Sequence, residues 1–150
     1  MPKHLSQQHA NAVDDARLAG EINSAASRFR ENVKAVLDGP GLSEVGLTWS
    51  EDVSVAPLGF SIETRSGIAI AAFDHISTGG QLLGRYRFYR AAGNPFKPQL
   101  KEFWSILVNE SGIATWSIPG TFEWVSGNKS EVIDFVDRFL IEFYGTIEEI

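Results

Sequence analysis

The sequence predicts a single α+β domain in which a mostly antiparallel sheet of five to six strands is packed with an N-terminal and a C-terminal helix. Three observations carry that expectation. Apolar residues recur at three- and four-residue steps near both ends of the chain. Between about residues 47 and 125 they alternate, or run continuously over short stretches, as strands do. Clusters of Gly, Pro, Asn and Ser separate those stretches.

At 150 residues, 43% hydrophobic and 21% charged, the chain fits one domain with an ordinary core. Residues 1–9 are polar and are expected to form a flexible tail, leaving 10–150 as the domain. That N-terminus has no apolar stretch of the signal-peptide kind, and no run approaches the roughly 18–20 apolar residues that a membrane span needs. The chain contains no cysteine, so disulfides, thiolate nucleophiles and Cys-ligated metals are excluded. A cytoplasmic, reducing setting suits all of this.

The first helix is expected from about Ala10 to Asp38, with Ile22, Ala26, Phe29, Val33, Val36 and Leu37 on one face. Arg17–Glu21 and Lys34–Asp38 are spaced for i,i+4 pairing on the polar side. Gly39-Pro40-Gly41 stops the helix, since glycine accepts the left-handed position after its end and proline cannot continue it. Leu47, Trp49, Val53 and Val55 then alternate loosely until Pro57-Leu58-Gly59 breaks the run.

Phe60, Ile62 and Thr64 alternate with Ser61, Glu63 and Arg65 as a half-buried strand. Ser66-Gly67 reads as a turn, and Ile68–Phe73 as a more central strand. Ser77–Gly80 makes the next turn and Gln81–Arg90 the next strand, followed by a Pro-rich loop over 93–98. Glu102–Val108 and Ile113–Ile118 form a hairpin around Asn109–Gly112, with a short strand at Phe122–Val125. Both faces of Phe103–Val108 are apolar, which implies cover on two sides. The last helix opens with a capping box, Asn128 as N-cap and Glu131 three residues on, and ends at Gly145. Val132, Phe135, Val136, Phe139, Leu140 and Phe143 form its apolar face. Ile133, Ile141 and Tyr144 widen that stripe enough that a homodimer contact is one way to hide it.

Charge singles out one segment. The chain has net charge −6, yet His75–Lys101 contains five cations and no carboxylate. At its centre, Arg85-Tyr86-Arg87-Phe88-Tyr89-Arg90 interleaves cations with aromatics. Period two sends Tyr86, Phe88 and Arg90 to one face and Arg85, Arg87 and Tyr89 to the other. Tyr86 and Phe88 continue the register of Leu82 and Gly84 toward the core, so Arg85, Arg87 and Tyr89 form a ladder on the open face. Two guanidiniums about 6.6–7 Å apart beside a phenol suit a carboxylate-rich partner, a phosphate or a stacked base. The plain structural counterpart is pairing with cross-strand acids such as Glu63 or Glu102.

Other candidates are weaker. Gly127, Lys129 and Ser130 lie at a helix N-terminus, where free amides attract anions, but the spacing of a phosphate loop is absent and the capping box accounts for these residues. His75 follows Asp74 at a strand end with no second catalytic group in recognisable spacing; a pocket lined by tryptophans around it would be the small-ligand or enzyme alternative. His4 and His9 do not make a metal site, and the carboxylate pairs Glu51-Asp52 and Asp14-Asp15 need not share a face. No cofactor or metal motif is present.

The expected function is therefore a non-enzymatic protein-binding module: an adaptor, chaperone or immunity-type inhibitor. It would recognise the acidic patch of another protein through Arg85, Arg87 and Tyr89, with Trp104 or Trp116 as apolar anchor. A single-stranded nucleic-acid binder using the same strand is the alternative.

Overall fold

The computed structural model describes residues 3–50, 57–93 and 95–150, with side chains from Gln7 onward. Its elements follow in chain order as α1 (Lys3–Leu37), β1 (Thr48–Ser50), β2 (Phe60–Thr64), β3 (Gly67–Thr78), β4 (Gln81–Ala92), β5 (Gln99–Val108), β6 (Ile113–Ala114), β7 (Trp124–Val125) and α2 (Lys129–Tyr144). Among the described residues these seven strands form one antiparallel meander, each bonded to its neighbour in sequence. The fold is the expected α+β arrangement with one strand more than the five or six foreseen. The extra strand is β1, three residues long, which the loose alternation before Pro57 did not announce. Its expected continuation through Val53 and Val55, like the Glu51-Asp52 pair and Asn94 of the Pro-rich loop, falls outside the described residues.

Both helices lie on one face of the sheet and share its core. Ile22, Ala26, Phe29, Val33, Val36 and Leu37 of α1 are all buried, as their spacing required. From α2, Val132, Phe135, Val136, Phe139 and Phe143 are buried against them. The sheet contributes Phe60 and Ile62 from β2, Ala69 and Ala71 from β3, Tyr86 and Phe88 from β4, and Trp104, Ile106 and Val108 from β5. α1 starts at Lys3, several residues ahead of its expected start, and Gln7–Arg17 are exposed along its whole circumference. The helix reaches the core only from Ile22.

Several local details differ from expectation for identifiable reasons. Gly39 is not left-handed; α1 closes through Asp38 N–H to Lys34 O and Gly39 N–H to Val36 O, and the positive φ falls on Gly41. The two-residue turn after β2 is Arg65-Ser66, with Gly67 already paired opposite Thr64. The expected strand 113–118 survives as only two residues. Thr115 N–H still donates to Leu107 O, but the Thr115 hydroxyl oxygen, rather than its carbonyl, accepts the Leu107 N–H at 3.0 Å, and the regular ladder ends there. The carbonyls of Thr115 and Trp116 then accept the indole N–H groups of Trp124 and Trp104, each at 2.9 Å. Two tryptophans thus hold an irregular segment in place.

The two apolar faces of β5 arise in two ways: Leu107 is buried on the outer face beside Ile118, Pro119 and Phe122, and a bulge turns Phe103 inward. The β4–β5 register shifts between Phe88 and Tyr89, leaving Phe103 as an extra residue. Phe103 therefore joins Trp104 on the helix side, with its ring 6.2 Å from Phe139 and 5.7 Å from Phe143.

The approach of α1 to the sheet depends on Gly84. A Cβ there would lie 2.8 Å from Ile22 Cγ2 and 2.8 Å from the Phe73 ring. Ile22 is fully buried and Phe73 is partly buried against the core, so relieving the clash means moving packed side chains. Gly84→Ala is expected to destabilise the domain by about 1–3 kcal/mol, measured as a lower urea midpoint at unchanged m-value. An unchanged midpoint would show that α1 is not in close contact with β4.

Candidate functional site

β4 presents its side chains as the alternation requires. Tyr86 and Phe88 are fully buried on the helix side. Arg90 shares that side, its Nη1 donating to Thr146 Oγ1 and its guanidinium 5.4 Å from the Phe143 ring centre. Arg85, Arg87 and Tyr89 stand together on the outer face.

The acid that meets the two outer arginines is Asp74, directly opposite Arg85 in the β3–β4 ladder. Arg85 Nε donates to Oδ1 at 3.0 Å and Arg85 Nη2 to Oδ2 at 2.7 Å, a two-point fork. Arg87 Nη2 donates to the same Oδ2 at 3.0 Å. The hydrogen bonds and charge of Arg85, joined by the charge of Arg87, hold the Asp74 carboxyl below its ordinary value of 3.8. Reciprocally, the Arg85 guanidinium is held above its ordinary value by that carboxylate.

The cross-strand pairing considered with Glu63 or Glu102 is thus made by Asp74, one residue before the acid-free window begins. Three side chains carry one net positive charge, and the Arg85 and Arg87 side chains stay 27% and 35% exposed. Arg87 Nε is buried without a hydrogen-bond partner among the described residues. The Arg87 guanidinium lies 5.9 Å from the Tyr89 ring centre, so a cation faces that ring.

Beside this cluster lies an apolar cleft of about 220 Å³, lined by Ile76, Leu83, Leu107, Ile118, Pro119 and Phe122 among others. Leu107 is the cross-strand neighbour of Arg85, so the cleft and the guanidiniums abut. Leu83 and Leu107 form its buried floor, while Ile118 is 41% exposed at its mouth. The sequence held one signal for it: Leu83 shares the parity of Arg85 and Arg87, an apolar residue on the supposedly open face.

The two tryptophans proposed as anchors do not join this surface. Trp104 is a core residue, 7% exposed, stacked on Phe88 and Phe135. Trp116 stacks on Trp124 with ring centres 4.6 Å apart, and borders a shallow groove with Asp134, Asp137, Arg138 and Ile141 of α2.

At the start of α2, Asn128 Oδ1 accepts both the Ser130 N–H and the Ser130 hydroxyl. Glu131 departs from the capping box by accepting from Val125 N–H instead of Asn128 N–H. The amide of Ser130 is therefore occupied by the cap. His75 is exposed, its Nε2 2.9 Å from Asn23 Oδ1 on α1. The described residues hold no group of three or more His, Asp or Glu placed for a metal ion. No described helix is long and apolar enough to cross a membrane.

No family model matches the chain, and neither a curated protein nor a solved structure matches it, so the outer face is interpreted from its own chemistry.

The Asp74 cluster has a measurable signature. A carboxyl whose folded pKa is depressed adds stability above its unfolded pKa and loses it as pH falls through the folded value. Wild type is therefore expected to lose stability below about pH 4, and Asp74→Asn to flatten that part of the pH profile. Urea melts at pH 3 and pH 7 check this. Parallel profiles for the two proteins would mean that Asp74 is not tied to the arginines in solution.

Proposed function

We infer that this domain is a non-enzymatic protein-binding module whose docking surface is the outer face of β3, β4 and β5. The observation that supports it is the juxtaposition of the Asp74–Arg85–Arg87 cluster with the cleft mouthed by Ile118 and Phe122. A partner segment with a carboxylate next to an apolar side chain fits both halves. The apolar side chain enters the cleft, and the carboxylate meets guanidinium N–H groups that Asp74 has left unused. Asp74 adds orientation by fixing both arginines before the partner arrives. A cysteine-free chain of this kind suits a cytoplasmic partner.

Nothing in the geometry favours single-stranded nucleic acid over this. The Tyr89 ring is faced by Arg87, and a phosphate would approach the Asp74 carboxylate as well as the arginines.

The test pairs Arg87→Gln and Ile118→Asp with wild type in a capture from native lysate, followed by titration of the captured protein. Each variant is expected to weaken binding roughly 10- to 100-fold, through one lost hydrogen bond to a charged group for Arg87→Gln and through a carboxylate set in the apolar cleft for Ile118→Asp. Thermal stability should shift little, since both side chains are partly exposed. Wild-type affinity for every captured partner retained in both variants would remove the outer face from consideration. Capture of an oligonucleotide that is lost at high salt and in Arg87→Gln would replace the protein-binding reading with the nucleic-acid one.

A further inference from the structure

We propose that the cavity between the ends of β4 and β5 and the C-terminus of α2 binds a small organic carboxylate with an apolar body. This site is on the helix side of the sheet and stands independently of the outer-face docking surface. Its volume of about 700 Å³ falls within the range that small-molecule ligands occupy. Arg90 and Lys101, directly opposite each other in the β4–β5 ladder, bring two positive charges into its lining. Among the described residues neither forms an ion pair.

Arg90 is already oriented, by Thr146 Oγ1 and by the Phe143 ring beneath its guanidinium. Phe103 supplies an apolar wall, and Ile147 lines the cavity from the segment after α2.

Two acids also border the cavity, and of these Glu148 offsets part of its positive charge. Glu102 is the register partner of Tyr89 on the outer face and acts electrostatically on Arg85 there. Glu148 is exposed on the segment after α2. The carbonyl end of α2, which would repel an anion, is largely closed: Gly145 N–H donates to Ile141 O, Thr146 N–H to Phe143 O and Ile147 N–H to Tyr144 O. Capping of that helix end accounts for Arg90, but it does not account for Lys101 or for the empty volume between them. Two cations with Glu148 and a helix C-terminus nearby suit a singly charged head better than a doubly charged one. That selects a carboxylate over a phosphate monoester.

The probe is 3-phenylpropanoate, titrated into the isotope-labelled full chain at low salt and followed by amide chemical shifts. Saturable shifts at Gly93, Lys101, Phe103 and Thr146 are expected, with Kd at or below about 1 mM. The methyl ester should give none. Lys101→Glu should weaken binding at least tenfold and Lys101→Gln at least threefold, with Tm held within about 2 °C because Lys101 is exposed and forms no ion pair among the described residues. The proposal fails if the acid gives no saturable shift up to about 10 mM, if the ester binds equally well, or if both Lys101 variants bind like wild type. Phenyl phosphate binding more tightly than the carboxylate would overturn the choice of head group.

Discussion

Phe29 of α1 meets Phe135 of α2 edge to face, with ring centres 4.9 Å apart, and the rest of the structure depends on that contact. The same Phe29 ring also touches Tyr86 at 5.3 Å, Trp124 at 5.8 Å and Phe60 at 6.3 Å. One side chain thus ties both helices to strands from each half of the meander. Edge-to-face contacts of this kind add about 0.5–1.5 kcal/mol each beyond burial, and they also fix ring orientation. The Tyr86 hydroxyl within this centre is satisfied, donating to Leu58 O at 2.9 Å. Burial pushes that phenol far above its ordinary range, so it stays neutral.

With one face of the sheet devoted to aromatic packing, the charge on β4 has only the other face and the strand's end on which to stand. Arg85 and Arg87 go to the outer face, where Asp74 aligns them. Arg90 keeps the inward parity and is accepted there because it lies past the aromatic core, at the end of α2. A single strand therefore delivers cations to two sites on opposite sides of the sheet. One is a rigid pair beside a small cleft; the other is a pair of cations beside a larger cavity. Period two and strand length account for both.

The helices and the central strands were legible in the sequence because their patterns are strong and local. Every one of the six apolar positions assigned to the face of α1 is buried. The inward and outward assignment of residues 85–90 also followed from parity alone. What escaped has physical causes. A bulge at Phe103 reverses parity, and no composition rule marks it. The truncated strand at 113–114 depends on a threonine hydroxyl replacing a carbonyl, which alternation cannot reveal. Trp104 was a sound interface candidate by residue type, but its indole N–H serves the chain's own Trp116 carbonyl. Asp74 escaped as the partner of the arginines because hairpin register joins residues eleven positions apart, while a charge window counts only along the chain.

The neighbour-to-neighbour order of the strands also bears on how the chain reaches this structure. Each hairpin closes a short segment, so the sheet assembles through contacts of small sequence separation, whose closure entropy is low. The contact between α1 and α2 instead joins the two ends of the chain and gains little until the sheet beneath it exists. That contact therefore carries a larger loop-closure cost than any hairpin of the sheet. Phe29 sits at that contact, so its ring holds together parts of the chain that only the finished fold brings near each other.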